Sequence, residues 1–190
     1  EAWFFHVPGL KIVYPYSPYD AKGLLIAAIE DPNPVLFFEH KYLYRSIKSN
    51  VPKKEYAIEI GKASVVKKGS DLSIITYGLA VKWALDYAKE SPYDVEILDL
   101  RTLVPLDIES IYDTVKKTNR VLILHEDNIT GGIGGEISSL ISENCFDALD
   151  APIMRLGSID TPVPFSANIE KDVFLPINKI DMTISKLMKY

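Results

Sequence analysis

Asp31 and Asn33 lie in a short Asp-Pro-Asn-Pro segment that can supply oxygen ligands for a cation. The segment follows a predicted helix ending near Glu30, and the last carbonyl groups of a helix lack partners within it and carry partial negative charge. With the carboxylate and the amide oxygen, these carbonyls could hold a hard monovalent cation. An ordinary helix-terminating turn explains the same residues, and the segment taken alone favours the turn.

A glycine-rich loop is a second candidate, for a phosphate group. Thr130–Gly135 follows a predicted strand and precedes a predicted helix, so its amides could face a phosphate at the positive end of that helix. The dinucleotide fingerprint G-x-G-x-x-G is incomplete because Ile137 stands where the third glycine belongs, and no P-loop Lys-Ser/Thr pair follows. We therefore expect the glycines to allow close packing of the loop, the helix or a partner chain.

His125, Glu126 and Asp127 end a predicted strand, where α/β proteins place ligand sites. They could act as acid–base groups, but neither a serine elbow nor an H-E-x-x-H zinc motif accompanies them. A structural or interface role is therefore favoured. His40 ends another strand and has no partner evident in the sequence. Cys145, the single cysteine, is expected to be buried and inert.

The elements that must position these residues begin with a strand, a helix and a strand. Leu10–Tyr14 predicts a buried strand, Ser17 predicts the cap of a helix, and Val35–Phe38 predicts a second strand. A unit of this length implies parallel strands with a right-handed crossover. We assign residues 1–46 to this piece and the polar stretch 47–60 to a linker.

We assign residues 61–190 to a second, complete α/β domain. Ala63–Val66 and Leu72–Tyr77 are joined by a Lys-Gly-Ser-Asp turn, which predicts a hairpin and thus one antiparallel strand at the edge of the sheet. Helices and strands then alternate, which predicts a mostly parallel sheet covered on both faces. The predicted helices are Leu79–Glu90, Asp107–Lys117, Gly134–Cys145 and Ile177–Met188, and the predicted strands are Val95–Leu100, Val121–Leu124 and Ile153–Leu156.

The composition excludes several classes of protein. The 190 residues are 47% hydrophobic and 25% charged, as in an ordinary globular core, and the net charge is −5. No apolar run approaches the roughly 18 residues of a membrane span, and no basic stripe favours nucleic acid. We therefore expect neither a membrane nor a nucleic acid among the partners. A single cysteine excludes an internal disulfide and fits a reducing compartment.

The chain opens on Glu1 without an initiator methionine, directly before the aromatic residues Trp3, Phe4 and Phe5. These aromatic side chains need neighbours to bury them, so we expect preceding residues in the native protein.

Segments that run in order over nearly the whole chain resemble one enzyme family, the β subunit of the thiamine-diphosphate-dependent decarboxylating component of 2-oxoacid dehydrogenase complexes. Each segment alone is weak, but together they are specific. They are Pro8–Val13, Ser17–Leu25, Ile29–Pro34, Phe38–Arg45, Gly69–Asp71, Asp99–Asp107, His125–Glu126, Gly131–Gly132 with Gly135–Ile137, and Asp160–Pro164.

The resemblance implies a transketolase-like α2β2 enzyme that decarboxylates a 2-oxoacid and acylates a lipoyl group on an acyltransferase core. Thiamine diphosphate would lie between the β pyrimidine-binding domain and the α subunit, which holds magnesium. Phe37–Glu39 and Tyr42–Arg45 favour the branched-chain type over the pyruvate and acetoin types. The expected location is the cytoplasm in a bacterium and the mitochondrial matrix in a eukaryote.

When the family's functional residues are matched to this sequence one by one, few of them fall within the chain. The family's catalytic histidine falls just before Glu1, so we expect no catalytic or cofactor-binding residue here and no activity from the chain alone. The family's potassium loop matches Ala28, through its carbonyl, with Asp31 and Asn33, which gives a partial potassium site. Residues 61–190 match the C-terminal domain that mediates β–β contact and docks the acyltransferase, and Tyr190 is expected near that dock.

Two other functions remain open from the sequence. One is a non-enzymatic interaction module built like the C-terminal domain of transketolase. The other is a small phosphate- or nucleotide-binding α/β protein that uses Gly131–Gly135.

Overall fold

The computed structural model describes residues 1–190 and contains two β-sheets, each flanked by helices. The strands are β1 (Lys11–Val13), β2 (Val35–Phe37), β3 (Ser64–Lys67), β4 (Leu72–Thr76), β5 (Val95–Asp99), β6 (Thr102–Val104), β7 (Val121–Asn128) and β8 (Met154–Ser158). The α-helices are α1 (Ala2–Phe5), α2 (Pro18–Glu30), α3 (Leu43–Ser46), α4 (Leu79–Glu90), α5 (Ile108–Thr118), α6 (Gly134–Asn144), α7 (Ala167–Ile169) and α8 (Ile180–Leu187). None of these helices is long and apolar enough to cross a membrane.

The first sheet has the strand order β2-β1-β6. β1 and β2 run parallel, and α2 makes the crossover between them, as predicted. The Ser17 hydroxyl accepts a hydrogen bond from the Asp20 amide at 3.1 Å, which confirms the predicted cap. Pro18 occupies the first turn, where its missing N–H costs nothing.

The third strand of this sheet was not predicted. β6 pairs antiparallel with β1, so that Ile12 lies opposite Val104 and Val13 opposite Thr102. The chain therefore leaves the second sheet after β5 and joins the first sheet two residues later. A strand of three residues is too short to show a periodicity, so only its tertiary partner makes it visible.

The second sheet has the order β3-β5-β4-β7-β8, with β3 as its one antiparallel strand. The antiparallel edge strand is confirmed, but the predicted hairpin is wrong, because β3 pairs with β5 and not with β4. The turn after β3 lies against the start of β5, where the amides of Ser70 and Asp71 both donate to the Asp94 carbonyl. Gly69 is required there, since a Cβ atom would lie 2.2 Å from the Val95 carbonyl carbon.

Hydrophobic cores cover both faces of the second sheet. Successive strand residues point to opposite faces, so that Ile74 packs with α4 and α8 while Ile75 packs with α5 and α6. Cys145 is fully buried in the second of these cores, as predicted. The near-continuous apolar run of β4 follows from burial on both sides.

Residues 47–60 contain no helix or strand and lie against α2. The Lys22 ammonium donates to the carbonyls of Pro52 and Lys54, at 2.6 and 2.9 Å. The Tyr56 ring stacks on Tyr19 with centroids 4.6 Å apart. These contacts fix the segment against α2 although it has no regular structure of its own.

Candidate functional site

A cleft of about 200 Å³ lies at the carboxyl ends of β4 and β7, where parallel sheets place their ligands. We call it the strand-end cleft. Its polar wall consists of tyrosine and acidic side chains from both sheets, and Leu79, Val163 and Phe174 supply apolar contacts. The polar lining residues are Glu1, Tyr14, Tyr77, Glu126, Asp127, Asn128 and Glu170.

Tyr77 is a buried polar group of the strand-end cleft with contacts to both Glu1 and Tyr14. Its hydroxyl donates to the Glu1 carboxylate at 2.5 Å, its side chain is buried, and its ring packs against Tyr14 with centroids 5.6 Å apart. Burial and the nearby Glu1 raise the pKa of Tyr77 well above its usual value, so the phenol stays neutral and remains a donor. The sequence analysis missed this residue, although its place directly after a buried strand was the signal.

The strand-end cleft is acidic. Burial raises the pKa of the Glu1 carboxyl, and the neighbouring Asp127 and Glu126 raise it further, against a hydrogen bond from Tyr77 that lowers it. No basic side chain lines the cleft. The arrangement therefore suits a neutral or cationic group and repels a phosphate or diphosphate.

One hydrogen bond connects this cleft with the first sheet. His40, from the segment after β2, places Nε2 3.0 Å from Glu126 Oε1 on β7. Glu126 raises the pKa of His40, although partial burial opposes the shift. The two residues are 86 positions apart in the chain, which is why the sequence showed no partner for His40.

His125 has a structural role, as predicted. It is fully buried, its Nδ1–H donates to the Asp127 carbonyl at 3.0 Å, and burial lowers its pKa, so the ring is neutral. Three glycines enclose the ring: a Cβ atom at Gly132, Gly134 or Gly157 would approach a ring atom to 2.7–2.8 Å. The predicted packing role of the glycine loop is thereby confirmed.

The glycine loop is poorly suited to a phosphate. The Thr130 amide and hydroxyl both donate to the Asp160 carboxylate, at 3.1 and 2.6 Å. An acidic side chain thus already occupies the donors at the start of the loop and would repel a bound anion.

The cation candidates lie at the end of α2. Asp31 Oδ1 accepts hydrogen bonds from the Asn33 amide and side chain, at 2.9 and 3.1 Å, while Asp31 Oδ2 lies 2.5 Å from the Lys11 ammonium. Lys11 holds the pKa of Asp31 below its usual value. The Ala28 carbonyl cannot have its usual helical partner, because Pro32 has no N–H. These oxygens fit a hard cation in type, and such a cation would share Asp31 with Lys11.

Tyr190 follows α8 and is exposed, as are Phe146, Phe165 and Met182. Trp3 is 90% exposed on α1, and Phe4 beside it is partly exposed. Large apolar side chains therefore face outward at both ends of the chain.

Comparison with known proteins identifies the family of the chain. Residues 61–180 match the family model described as transketolase, C-terminal domain. The chain belongs to this family. Residues 1–47, ahead of the transketolase C-terminal domain, match the transketolase pyrimidine-binding domain.

Relatives of this transketolase-type chain include dehydrogenase β subunits. The chain is 46% identical to the 2-oxoisovalerate dehydrogenase subunit beta of Bacillus subtilis (strain 168), over 100% of this chain and 59% of the relative. It is 48% identical to the pyruvate dehydrogenase E1 component subunit beta of Porphyra purpurea, over 95% of this chain and 55% of the relative. It is 43% identical to the mitochondrial 2-oxoisovalerate dehydrogenase subunit beta 2 of Arabidopsis thaliana, over 100% and 53%. The chain thus spans little more than half the length of these curated relatives.

A solved structure shows the same fold. A split-gene transketolase, an inactive β4 tetramer, superposes with a TM-score of 0.78 over 99% of this chain and 60% of its own, at 23% identity. At this identity the likeness is evidence for the fold alone. The expected transketolase-type architecture is confirmed.

Proposed function

We propose that this chain is part of the β subunit of a 2-oxoacid dehydrogenase that decarboxylates a branched-chain 2-oxoacid and acylates a lipoyl group. The observation that carries the proposal is the 46% identity to a 2-oxoisovalerate dehydrogenase β subunit along the whole chain. A pyruvate or acetoin dehydrogenase β subunit is the alternative, which the 48% identity to a pyruvate-type relative supports. The compartment would be the bacterial cytoplasm or the mitochondrial matrix.

The residues present serve mainly assembly in this proposal, and the chain alone is inactive. Thiamine diphosphate, when bound to the whole enzyme, supplies the carbanion chemistry of decarboxylation. The strand-end cleft has four acidic side chains and no basic one, so it does not fit the diphosphate. The cofactor and its magnesium therefore belong to a site completed by the α subunit and the remainder of β.

The proposed partners are an α subunit, a second β subunit and the lipoyl acyltransferase core. Exposed Trp3 and Phe4 would be buried by neighbouring protein in the assembly, because large apolar side chains gain about 1.5–3 kcal/mol each on full burial. Tyr190, exposed at the end of α8, is the proposed contact with the acyltransferase. A non-enzymatic interaction module would use the same surfaces without any cofactor.

Potassium is the proposed ligand of Ala28, Asp31 and Asn33. The support is the oxygen donor set and the helical carbonyl that Pro32 leaves without a donor. Lys11 also pairs with Asp31, so a bound cation would share the carboxylate with an ammonium group that repels a monovalent ion less than a divalent one.

Calorimetry with thiamine diphosphate and Mg²⁺ tests whether cofactor binding requires the α subunit and the remainder of β. The purified 190-residue chain should give no saturable heat. The same sequence within a complete β subunit, together with α, should bind the cofactor. Saturable binding by the chain alone would refute the assembly role, and no binding by the complete assembly would favour the non-enzymatic module.

A further inference from the structure

The chain crosses between its two sheets at Arg101. Only Leu100 and Arg101 separate β5 of the second sheet from β6 of the first. Arg101 has a φ of 56°, in the left-handed region, which costs a non-glycine residue about 1–2 kcal/mol. Its carbonyl accepts the Tyr14 amide at 2.8 Å, directly after β1. Contacts of Arg101 must therefore hold this conformation.

Two buried carboxyl groups share Arg101. Its guanidinium Nη2 lies 2.6 Å from Asp20 Oδ1, and its amide donates to Asp99 Oδ1 at 3.0 Å. Asp99 is fully buried and Asp20 is nearly so. Asp20 is also held by the Ser17 hydroxyl, at 2.5 Å. We call Asp20, Asp99 and Arg101 the sheet joint, because they connect α2 with both sheets.

The second oxygen of Asp99 has no hydrogen-bond partner, and neither has the hydroxyl of the adjacent Thr76. A buried ionised oxygen without a partner is costly, whereas a neutral carboxyl is tolerated more easily. Asp99 is flanked in the sheet by Thr76 and Ser64, which do not titrate. Burial and then Asp20 raise the pKa of Asp99 to about 7, and the Arg101 contacts do not offset them.

The remaining ionisable groups near the joint do not compensate the second carboxylate. Tyr16 lies among Asp99, Asp20 and Asp86 of α4, and burial together with these carboxylates raises its pKa, so it stays neutral. Arg101, whose side chain is 17% exposed, is thus the one cation facing two almost completely buried carboxyl groups.

We propose that Asp99 is a proton-controlled switch in the sheet joint. With its carboxyl neutral, Asp99 accepts the Arg101 amide without opposing the ion pair between Asp20 and the Arg101 guanidinium, and the two sheets are held together. With its carboxyl ionised, a second buried negative charge faces Asp20 with one guanidinium to offset both, and the contact between the sheets loosens. This proposal is independent of the proposed enzymatic function, because it concerns residues of this chain alone.

The sign of the pH dependence follows from linkage. The folded state keeps the Asp99 proton between about pH 4 and pH 7, where the unfolded chain has lost it, so stability falls as pH rises through this range and levels off above it. A carboxyl that moves from 3.8 to about 7 changes the unfolding equilibrium constant by up to about 1,000-fold.

Carboxyl-carbon NMR titration of the 190-residue chain tests the proton directly. The Asp99 resonance should titrate with a midpoint near 7, and Asp20→Asn should lower that midpoint by removing the competing carboxylate. A midpoint below about 5 in the unaltered chain would overturn the proposal.

Hydrogen exchange tests whether ionisation of Asp99 loosens the contact between the two sheets. The Tyr14 amide, which donates to the Arg101 carbonyl between the sheets, should lose more protection between pH 6 and pH 8.5 than Ile74 in β4, after correction for intrinsic exchange. Ile74 should lose only the protection that the fall in global stability accounts for. Asp99→Asn, which mimics the neutral carboxyl, should abolish this difference. Asp113→Asn, on the exposed face of α5, is the matched control and should keep it. The proposal fails if Asp99→Asn retains the pH response.

Discussion

Replacing Gly132 by alanine tests whether the glycine loop exists to enclose His125. A Cβ atom at this position would lie 2.6 Å from the Asn128 carbonyl oxygen and 2.8 Å from His125 Cε1. Both distances are shorter than real Cβ contacts, and one neighbour is backbone that cannot rotate away. Gly132 has an ordinary backbone conformation, so the whole effect comes from the contact rather than from φ.

The expected loss is that of overpacking a closed core, about 1–3 kcal/mol in the free energy of unfolding. For a chain of this size each kcal/mol changes Tm by about 2–4 °C. Gly132→Ala should therefore lower Tm by about 2–12 °C, measured by calorimetry or circular dichroism.

Gly135→Ala is the matched control in the same loop. Its Cβ atom would meet only the mobile end of Arg155, at 3.4 Å, and the residue lies inside α6. Alanine gains up to about 1 kcal/mol over glycine within a helix, so this variant should be neutral or more stable. Equal loss in both variants, or no loss in Gly132→Ala, would refute the packing role of the loop.

Three further predictions concern the caps, the ion pairs and the cation loop. Ser17→Ala should cost about 1 kcal/mol in urea unfolding, because it removes the cap of α2 and a hydrogen bond to Asp20; no change would contradict the cap. His40→Gln should lower Tm at pH 6 but hardly at pH 8. Glu126 raises the pKa of His40, so the stability that the charged pair contributes is lost as pH rises through the pKa of His40 in the folded state. An equal fall in Tm at both pH values would contradict this prediction. KCl should raise Tm more than tetramethylammonium chloride of equal ionic strength, and Asp31→Asn should remove the difference; a salt response that persists in this variant would exclude the site.

Features whose interacting residues are close together in the chain could be predicted from the sequence. The cap at Ser17 and the glycine loop were predicted because each element contains its own signal. The partner of β3 was not, because the turn at Gly69 resembles a hairpin until β5 lies against it. Strand pairing over such a distance depends on tertiary packing and not on the turn alone.

The site was harder to predict than the fold for the same reason. Tyr77 meets Glu1 across 76 positions, and Arg101, between β5 and β6, meets Asp20 of α2. Each residue alone has an ordinary sequence context, so only the assembled fold shows that Arg101 binds one buried carboxyl through its guanidinium and a second through its backbone amide. Asp31 and Asn33, two positions apart, do meet, but through a hydrogen bond from the Asn33 side chain to Asp31, and their role as cation ligands stays a prediction.

The most direct test of the proposed function is a transplant into a known enzyme. This chain would replace the matching segment of the Bacillus subtilis 2-oxoisovalerate dehydrogenase β subunit, to which it is 46% identical over its whole length. Purified with the host's α subunit, the chimera should catalyse thiamine-diphosphate-dependent decarboxylation of 2-oxoisovalerate, while the 190-residue chain with the same α subunit should not. A chimera that folds and assembles with α yet decarboxylates no 2-oxoacid would contradict the account, as would activity of the chain alone.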